Sequence, residues 1–184
     1  ERGQIVKSAG QMKFLEIIRK RRSIRKFSDK QVEPEKLSLL KEAALRAPSS
    51  RGLNSWEFIF VSDKTMIAKF AKARIHGAEF LVGAPLAVVV CGKPDESDVW
   101  IENCSIASIF IQLAAIDLGL GSCWVQIRNR LHSREMSSRD YLAGILGLPD
   151  ETEILAIIGV GHPAERPRPH PESSLEKEKV KDIL

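Results

Sequence analysis

The chain has three cysteines and one tyrosine in 184 residues, and most of the familiar signatures of bound groups are missing. Cys91, Cys104 and Cys123 are odd in number and show no CxxC spacing, which argues against a disulfide framework and against a zinc site. In their apolar neighbourhoods they read as buried, reduced thiols acting as small hydrophobes, as expected in a reducing cytoplasm. The histidines show no HxxxH spacing, so no metal is expected. Neither GxGxxG nor GxxxxGK[ST] occurs, so dinucleotide-binding and P-loop folds lose their usual signature; if a phosphate is bound, side chains must do much of the work. The longest apolar run, near "SIASIFIQLAAI", is broken by Ser and Gln and falls short of the roughly eighteen residues a membrane span needs. The opening "ERGQIVKSAG" lacks the apolar core of a signal peptide, and residues 1–11 read as a flexible N-terminal arm.

What remains is an ordinary globular balance, 43% hydrophobic and 28% charged, with a formal net charge of +4. The length suits one domain with a substantial core. The mild positive excess favours anions without marking a nucleic-acid binder. In "MKFLEIIRKR" Phe14, Ile17, Ile18 and Arg21 fall at helical spacing, in a helix expected to end near Ser23. "EPEKLSLLKEAALRAP" predicts a second helix, with Pro34 in its first turn, Leu37, Leu40 and Ala44 on one face, and Pro48 as its stop. "SWEFIFVS" predicts a strand, and Ser62 or Asp63 is expected to cap a helix through "KTMIAKFAKAR". "GAPLAVVVCG" and "EILAIIGVG" are apolar runs of the kind found in strands buried on both faces. "DVWIENCSIASIFIQLAAIDLGLG" predicts the longest helix. It is apolar almost all round, hence central or at a subunit contact, and is expected to be ended by Gly119 and Gly121. "SCWVQI" predicts a short strand, and "SREMSSRDYLAGILGLP" a helix closed by Gly147 and Pro149. The remainder, "HPAERPRPHPESSLEKEKVKDIL", has too little apolar surface to fold on itself.

The densest feature is "RKRRSIRKF", which places six Lys or Arg in nine positions. Lys20 and Lys26 read as solvated cations near a helix C-terminus, where they meet the helix dipole. Nucleic acid is not expected, because acids follow at Asp29, Glu33 and Glu35 and stacking aromatics are few. The third reading is a phosphate monoester, a dianion that wants guanidinium forks and a hydroxyl converging on one point. Arg21, Arg22 and Ser23 supply such a set, with Arg25 close by.

"RRSIRKF", then "APSSRGLNSWEF", "LGLGSCW" and "GVGHPAERPRP", occur in the order seen in the nitroreductase family of FMN-dependent oxidoreductases. The chain resembles that family from Met12 to Arg168. The resemblance implies an α+β fold, with a central mostly antiparallel sheet flanked by helices, in an intertwined homodimer with FMN at the subunit interface. It implies an FMN-binding domain over 12–168 and an extended C-terminal tail over 169–184. It implies that Arg21, Arg22, Ser23 and Arg25 contact the FMN, and that Pro48, Ser49, Ser50 and Asn54 reach the same flavin from the other subunit. Val125 and Gln126 would lie near the ring, and Arg166 and Arg168 would approach the phosphate. The chain departs from the family pattern at Gly52 and at Asn54-Ser55, where relatives often carry Asn and Gln-Pro. It departs again at His170, Pro171 and Glu172, where relatives often place a cation pair. A Glu beside a phosphate repels it, so the task passes to Arg166, Arg168 or His170, or the tail only wraps the partner subunit.

On this resemblance the protein takes hydride from NADH or NADPH and passes it, through flavin N5, to a nitro-aromatic, quinone or related acceptor. No catalytic acid–base pair is needed, and none stands out. A fixed guanidinium near N1 and O2 would stabilise the reduced flavin's negative charge. Two alternatives stay open: oxidation or dehalogenation of a specialised metabolite on the same fold, and a flavin-binding module without turnover. Relatives of the first kind usually add a lid, for which the short connection between Ile59 and Leu86 leaves little room. Trp56, Phe58 and Trp124 read as core or as neighbours of the ring. Arg128 and Arg130 either guide an anionic nicotinamide phosphate or belong to a solvated loop.

Overall fold

The computed structural model describes residues 13–183; the expected arm over 1–11, and Met12, lie outside the described residues. The elements follow in the order α1 (Phe14–Lys20), α2 (Pro34–Leu45), β1 (Trp56–Val61), α3 (Lys64–Phe70), β2 (Leu86–Gly92), α4 (Trp100–Asp117), β3 (Gly121–Gln126), α5 (Ser138–Leu146) and β4 (Glu153–Gly161). The four strands form one sheet in the order β1-β2-β4-β3, antiparallel at every pairing. The architecture is the expected α+β one.

Helices cover both faces of this sheet, which explains why β2 and β4 are apolar throughout although antiparallel. Strand residues alternate sides. Val88, Val90 and Ile158 pack under Leu40 and Ala44 of α2 and Ile111 of α4. Val89 and Ile157 pack against Phe70 of α3, Leu142 of α5 and Leu81 of a 3-10 turn over Glu79–Gly83. Each fully buried side chain of this size contributes about 1.5–3 kcal/mol of transfer free energy. Cys91, Cys104 and Cys123 are free thiols within these layers. Burial pushes the Cys91 and Cys104 thiols up to about 12, so they stay protonated.

Boundaries differ from expectation in α1, α4 and α5, and of the two expected caps of α3 one is used. α1 ends at Lys20 rather than near Ser23, because Arg21 turns extended (ψ 122°) as the chain leaves to pair with β3. Gly119 (φ 72°) ends α4, whereas Gly121 already opens β3. Asp63, not Ser62, caps α3 by accepting from the Met66 N–H at 2.7 Å. α5 begins at Ser138, because the Ser137 hydroxyl accepts from the Asp140 N–H at 3.0 Å and the chain before it folds back through a Leu131–Ser137 bridge. Beyond Pro169 the described tail is exposed, with two 3-10 turns at Glu172–Ser174 and Lys177–Lys179. Among the described residues no helix is long and apolar enough to cross a membrane.

Candidate active site

The basic stretch leaves α1 and runs extended along the open edge of β3. The Ile24 N–H donates to the Ser122 carbonyl at 3.0 Å, and Ser23 forms a parallel bridge with Ser122. The same segment also meets the chain leaving β4. The Ser28 N–H donates to the His162 carbonyl, and the Ala164 N–H to the Lys26 carbonyl, each at 2.9 Å. Gly121 permits this docking: a Cβ there would lie 2.7 Å from Cγ1 of the buried Ile24.

These pairings bring residues 21–25 against residues 163–168. Arg22 donates from Nη1 to the Arg168 carbonyl. It lines a cavity of about 510 Å³ with Lys20, Gly121, Glu165 and Arg166. Glu165 is the carboxylate among these cations. Its Oε1 accepts from the main-chain N–H groups of Arg25 at 2.5 Å and Lys26 at 3.1 Å. The Arg25 N–H foremost, aided by that of Lys26, holds this carboxyl below the usual range. Glu165 is therefore occupied by main chain, and the cavity keeps a positive donor set suited to a phosphate monoester. Arg21 faces a neighbouring cavity of about 550 Å³, lined with Arg19, His170 and Glu172. Adjacent arginines thus serve different openings, and Glu172 lies with Arg21 rather than with Arg22. Ser23 is half-buried beside the Cys123 thiol, which burial pushes up against the opposing pull of Arg25 and the Ser23 hydrogen bond. Arg25, Arg166 and Arg168 have exposed side chains.

Val125 and Gln126 lie at the far end of β3. Ser122 turns its carbonyl to the open edge, so by the period of two the main-chain groups of Trp124 and Gln126 also face that edge, and those of Val125 face β4. The Val125 side chain is fully buried. Gln126 accepts from Trp124 Nε1 and donates to the Arg128 carbonyl, each at 3.0 Å. Trp56 is buried and tilted against Phe58 with ring centroids 5.1 Å apart, which makes both of them core.

Pro48, Ser49, Ser50 and Asn54 belong to a tight loop after α2. Arg51, Gly52 and Asn54 hold positive φ of 54°, 66° and 50°, a costly backbone for the two that are not glycine. Ser49 Oγ donates to Asn54 Oδ1 at 2.8 Å and accepts from the Asn54 N–H at 2.9 Å. The loop's anchor, missed in the sequence, is Asn103 in the first turn of α4. Its Oδ1 accepts from the Ser50 N–H at 2.9 Å, and its Nδ2 donates to Ser55 Oγ at 3.2 Å and Ser97 Oγ at 3.3 Å. The available signal was an amide inside the most apolar helix.

The loop thus sits at the N-terminal end of α4, while the Arg22 cavity reaches Ile116 at the C-terminal end. A rise of about 1.5 Å per residue from Asn103 to Ile116 separates them by about 20 Å. One protomer therefore does not bring residues 48–54 to residues 21–25.

Comparison with known proteins places this geometry among relatives. The model of the Nitroreductase family matches over residues 18–79 and 76–162. An FMN-dependent nitroreductase of Clostridium difficile R20291 superposes with a TM-score of 0.90 at 42% identity, covering 92% of this chain and 99% of that one. A protein of Archaeoglobus fulgidus named "Putative NADH dehydrogenase/NAD(P)H nitroreductase" is 36% identical over 155 residues, 82% of this chain and 86% of that protein. One of the same name from Methanothermobacter thermautotrophicus is 34% identical over 162 residues, 85% of this chain and 80% of that protein.

Proposed function

The chain belongs to the nitroreductase family, and on that premise we propose that it is a homodimeric, FMN-dependent oxidoreductase. It takes hydride from NADH or NADPH and reduces a nitro-aromatic, quinone or related acceptor. The observation that carries this reading is the separation of the two halves of the site along α4. Arg22, Lys20 and Arg166 line a cavity at one end of that helix, and the loop over 48–54 is anchored to Asn103 at the other. A second copy, turned to lay its loop beside the first copy's arginines, completes one site at each end. Exposed apolar residues supply a surface for that contact: Ile106, Ile109 and Phe110 on α4, and Phe14, Leu15 and Ile18 on α1. Together they form the kind of apolar face that marks an interface.

The donor set fits FMN, which when bound supplies hydride exchange at its N5 between the nicotinamide donor and the acceptor. Arg22 would hold the phosphate end with Ser23 and Arg25 of the same segment, joined by Arg166 and Arg168, while Arg21 would act from the neighbouring cavity. Gln126 at the edge of β3 orients the ring through its main-chain groups, while Val125, whose main-chain groups face β4, supports that strand from within the core. Pro48, Ser49, Ser50 and Asn54 of a second copy close over it and exclude water. The connection between β1 and β2 is occupied by packing, with Phe70 and Leu81 fully buried. It leaves little room for the added lid of a dehalogenase, which favours the nitroreductase reading.

The test is FMN affinity. Arg22→Ala removes a charge-assisted contact and is expected to cost about 2 kcal/mol, roughly thirtyfold in Kd. Arg21→Ala, facing the neighbouring cavity beside Glu172, loses less. Wild-type affinity in both variants, by flavin fluorescence titration, overturns the assignment.

A further inference from the structure

Past Gln126, where the oxidoreductase reading sets the ring, the chain carries a second set of cations. Arg128, Asn129 and Arg130 line a cavity of about 730 Å³ with Trp100, Leu131 and Arg139. The acids of that cavity are already engaged. Asp140 lies 3.2 Å, and Glu153 4.0 Å, from Arg139. Arg139 is further satisfied by the carbonyls of Pro149, Asp150 and Thr152.

Arg128 and Arg130 have no carboxylate partner among the described residues, although Arg128 is half-buried. Beside Arg130 stands Arg74, also half-buried. Its guanidinium lies below its ordinary value, first through burial and then through the neighbouring Arg130 charge, against the opposing pull of Glu79. The fold therefore sets the Arg130 charge beside Arg74, whose opposing carboxylate is Glu79, and leaves Arg128 and Arg130 without an ion-pair partner among the described residues, an arrangement that an incoming anion relieves. The cavity size is that of a small-molecule site. Half-exposed Leu131 adds an apolar contact at its rim.

The position selects the anion. Along β3, the phosphate-type cavity touches Gly121, the ring edge on the oxidoreductase reading is at Gln126, and this second cluster begins at Arg128. With the ring at Gln126, as the oxidoreductase reading has it, Arg128 and Arg130 are the next cations along the chain for a donor laid over it. We propose that these two arginines, backed by Arg74, seat the 2′-phosphate of the reduced nicotinamide dinucleotide, so that NADPH rather than NADH is the working donor. This rests on the oxidoreductase reading. A dianionic monoester is the group that two guanidinium forks recognise, and NADH lacks it.

Two readouts test it, one independent of turnover. In tryptophan-fluorescence titration of wild-type protein, adenosine 2′,5′-bisphosphate should bind at least tenfold tighter than adenosine 5′-monophosphate. Arg128→Ala/Arg130→Ala should abolish that difference. In the flavin-loaded enzyme the ratio of kcat/KM for NADPH to that for NADH should exceed ten and fall toward one in the same double variant. Arg134→Ala, an exposed arginine outside the cavity, should keep both preferences. Equal binding of the two adenosine nucleotides, or a preference that survives the double variant, overturns the proposal. Flavin-loaded protein that oxidises NADH and NADPH equally sinks this inference alone. Bisphosphate binding through these arginines in a protein that takes up no FMN supports the anion seat and sinks the oxidoreductase reading instead.

Discussion

Replacing Asn103 with Ala tests how the loop over 48–54 is held. Asn103 is 2% exposed and makes three hydrogen bonds: one from the Ser50 N–H and one to each of the Ser55 and Ser97 hydroxyls. A neutral hydrogen bond contributes about 0.5–1.5 kcal/mol net, and the Ser50 N–H is left without its acceptor, so the loss should be about 2–3 kcal/mol. For a chain of this size, at roughly 2–4 °C per kcal/mol, Tm should fall by about 5–10 °C. The loop over 48–54 also loses its tie to α4, and the positive φ of Arg51 and Asn54 is no longer supported. FMN affinity should therefore fall as well, although Asn103 is held inside the loop's base. Asn103→Asp keeps an acceptor for the Ser50 N–H and should lie between wild type and Ala in Tm. Differential scanning calorimetry and flavin titration measure the two effects. An Asn103→Ala protein within 1 °C of wild type and with unchanged flavin affinity refutes the reasoning.

Gly121→Ala forces a methyl to 2.7 Å from Ile24 Cγ1. It should destabilise the protein by about 1–3 kcal/mol and push the segment bearing Arg22 off β3, lowering flavin affinity. Ile24→Ala in the same chain should relieve part of this, so denaturant melts of the double variant should show less than the summed loss. The Glu33 carboxyl is held at about 2, below its ordinary 4.5, first by Lys30 and then by main chain and His162. A lowered folded-state value stabilises above the unfolded one, and that stabilisation is lost as pH falls from about 4.5 to about 2. The Tm gap between wild type and Glu33→Gln should accordingly be open at pH 6 and closed near pH 2; a gap independent of pH contradicts it.

Much of this fold was legible because its strands are pure in type. "EILAIIGVG" became β4 over the same residues, and the apolar run of β2 could be read as doubly buried without knowing what covered it. The misplaced boundaries were set by contacts distant in sequence. Helical spacing continues through Arg21, but α1 stops at Lys20 because Ser23 and Ile24 pair with Ser122, a partner that periodicity does not report. The start of α5 has a local signal: Ser137 followed three residues later by Asp140 is an N-cap pattern. The site divides in the same way. Local motifs pointed to the arginines and to the loop. They could not show that Arg21 and Arg22 face different cavities, that Glu165 is occupied by the N–H groups of Arg25 and Lys26, or that Asn103 anchors the loop.

The central claim is that two copies of this chain hold FMN between the arginines of one and the loop of the other. Size-exclusion chromatography of FMN-incubated protein, with in-line visible absorbance and light scattering, tests it most directly. The account predicts flavin absorbance co-eluting with a species of twice the chain mass, at one FMN per chain. Colourless protein at the mass of a single chain, with all flavin in the small-molecule fraction, would contradict it.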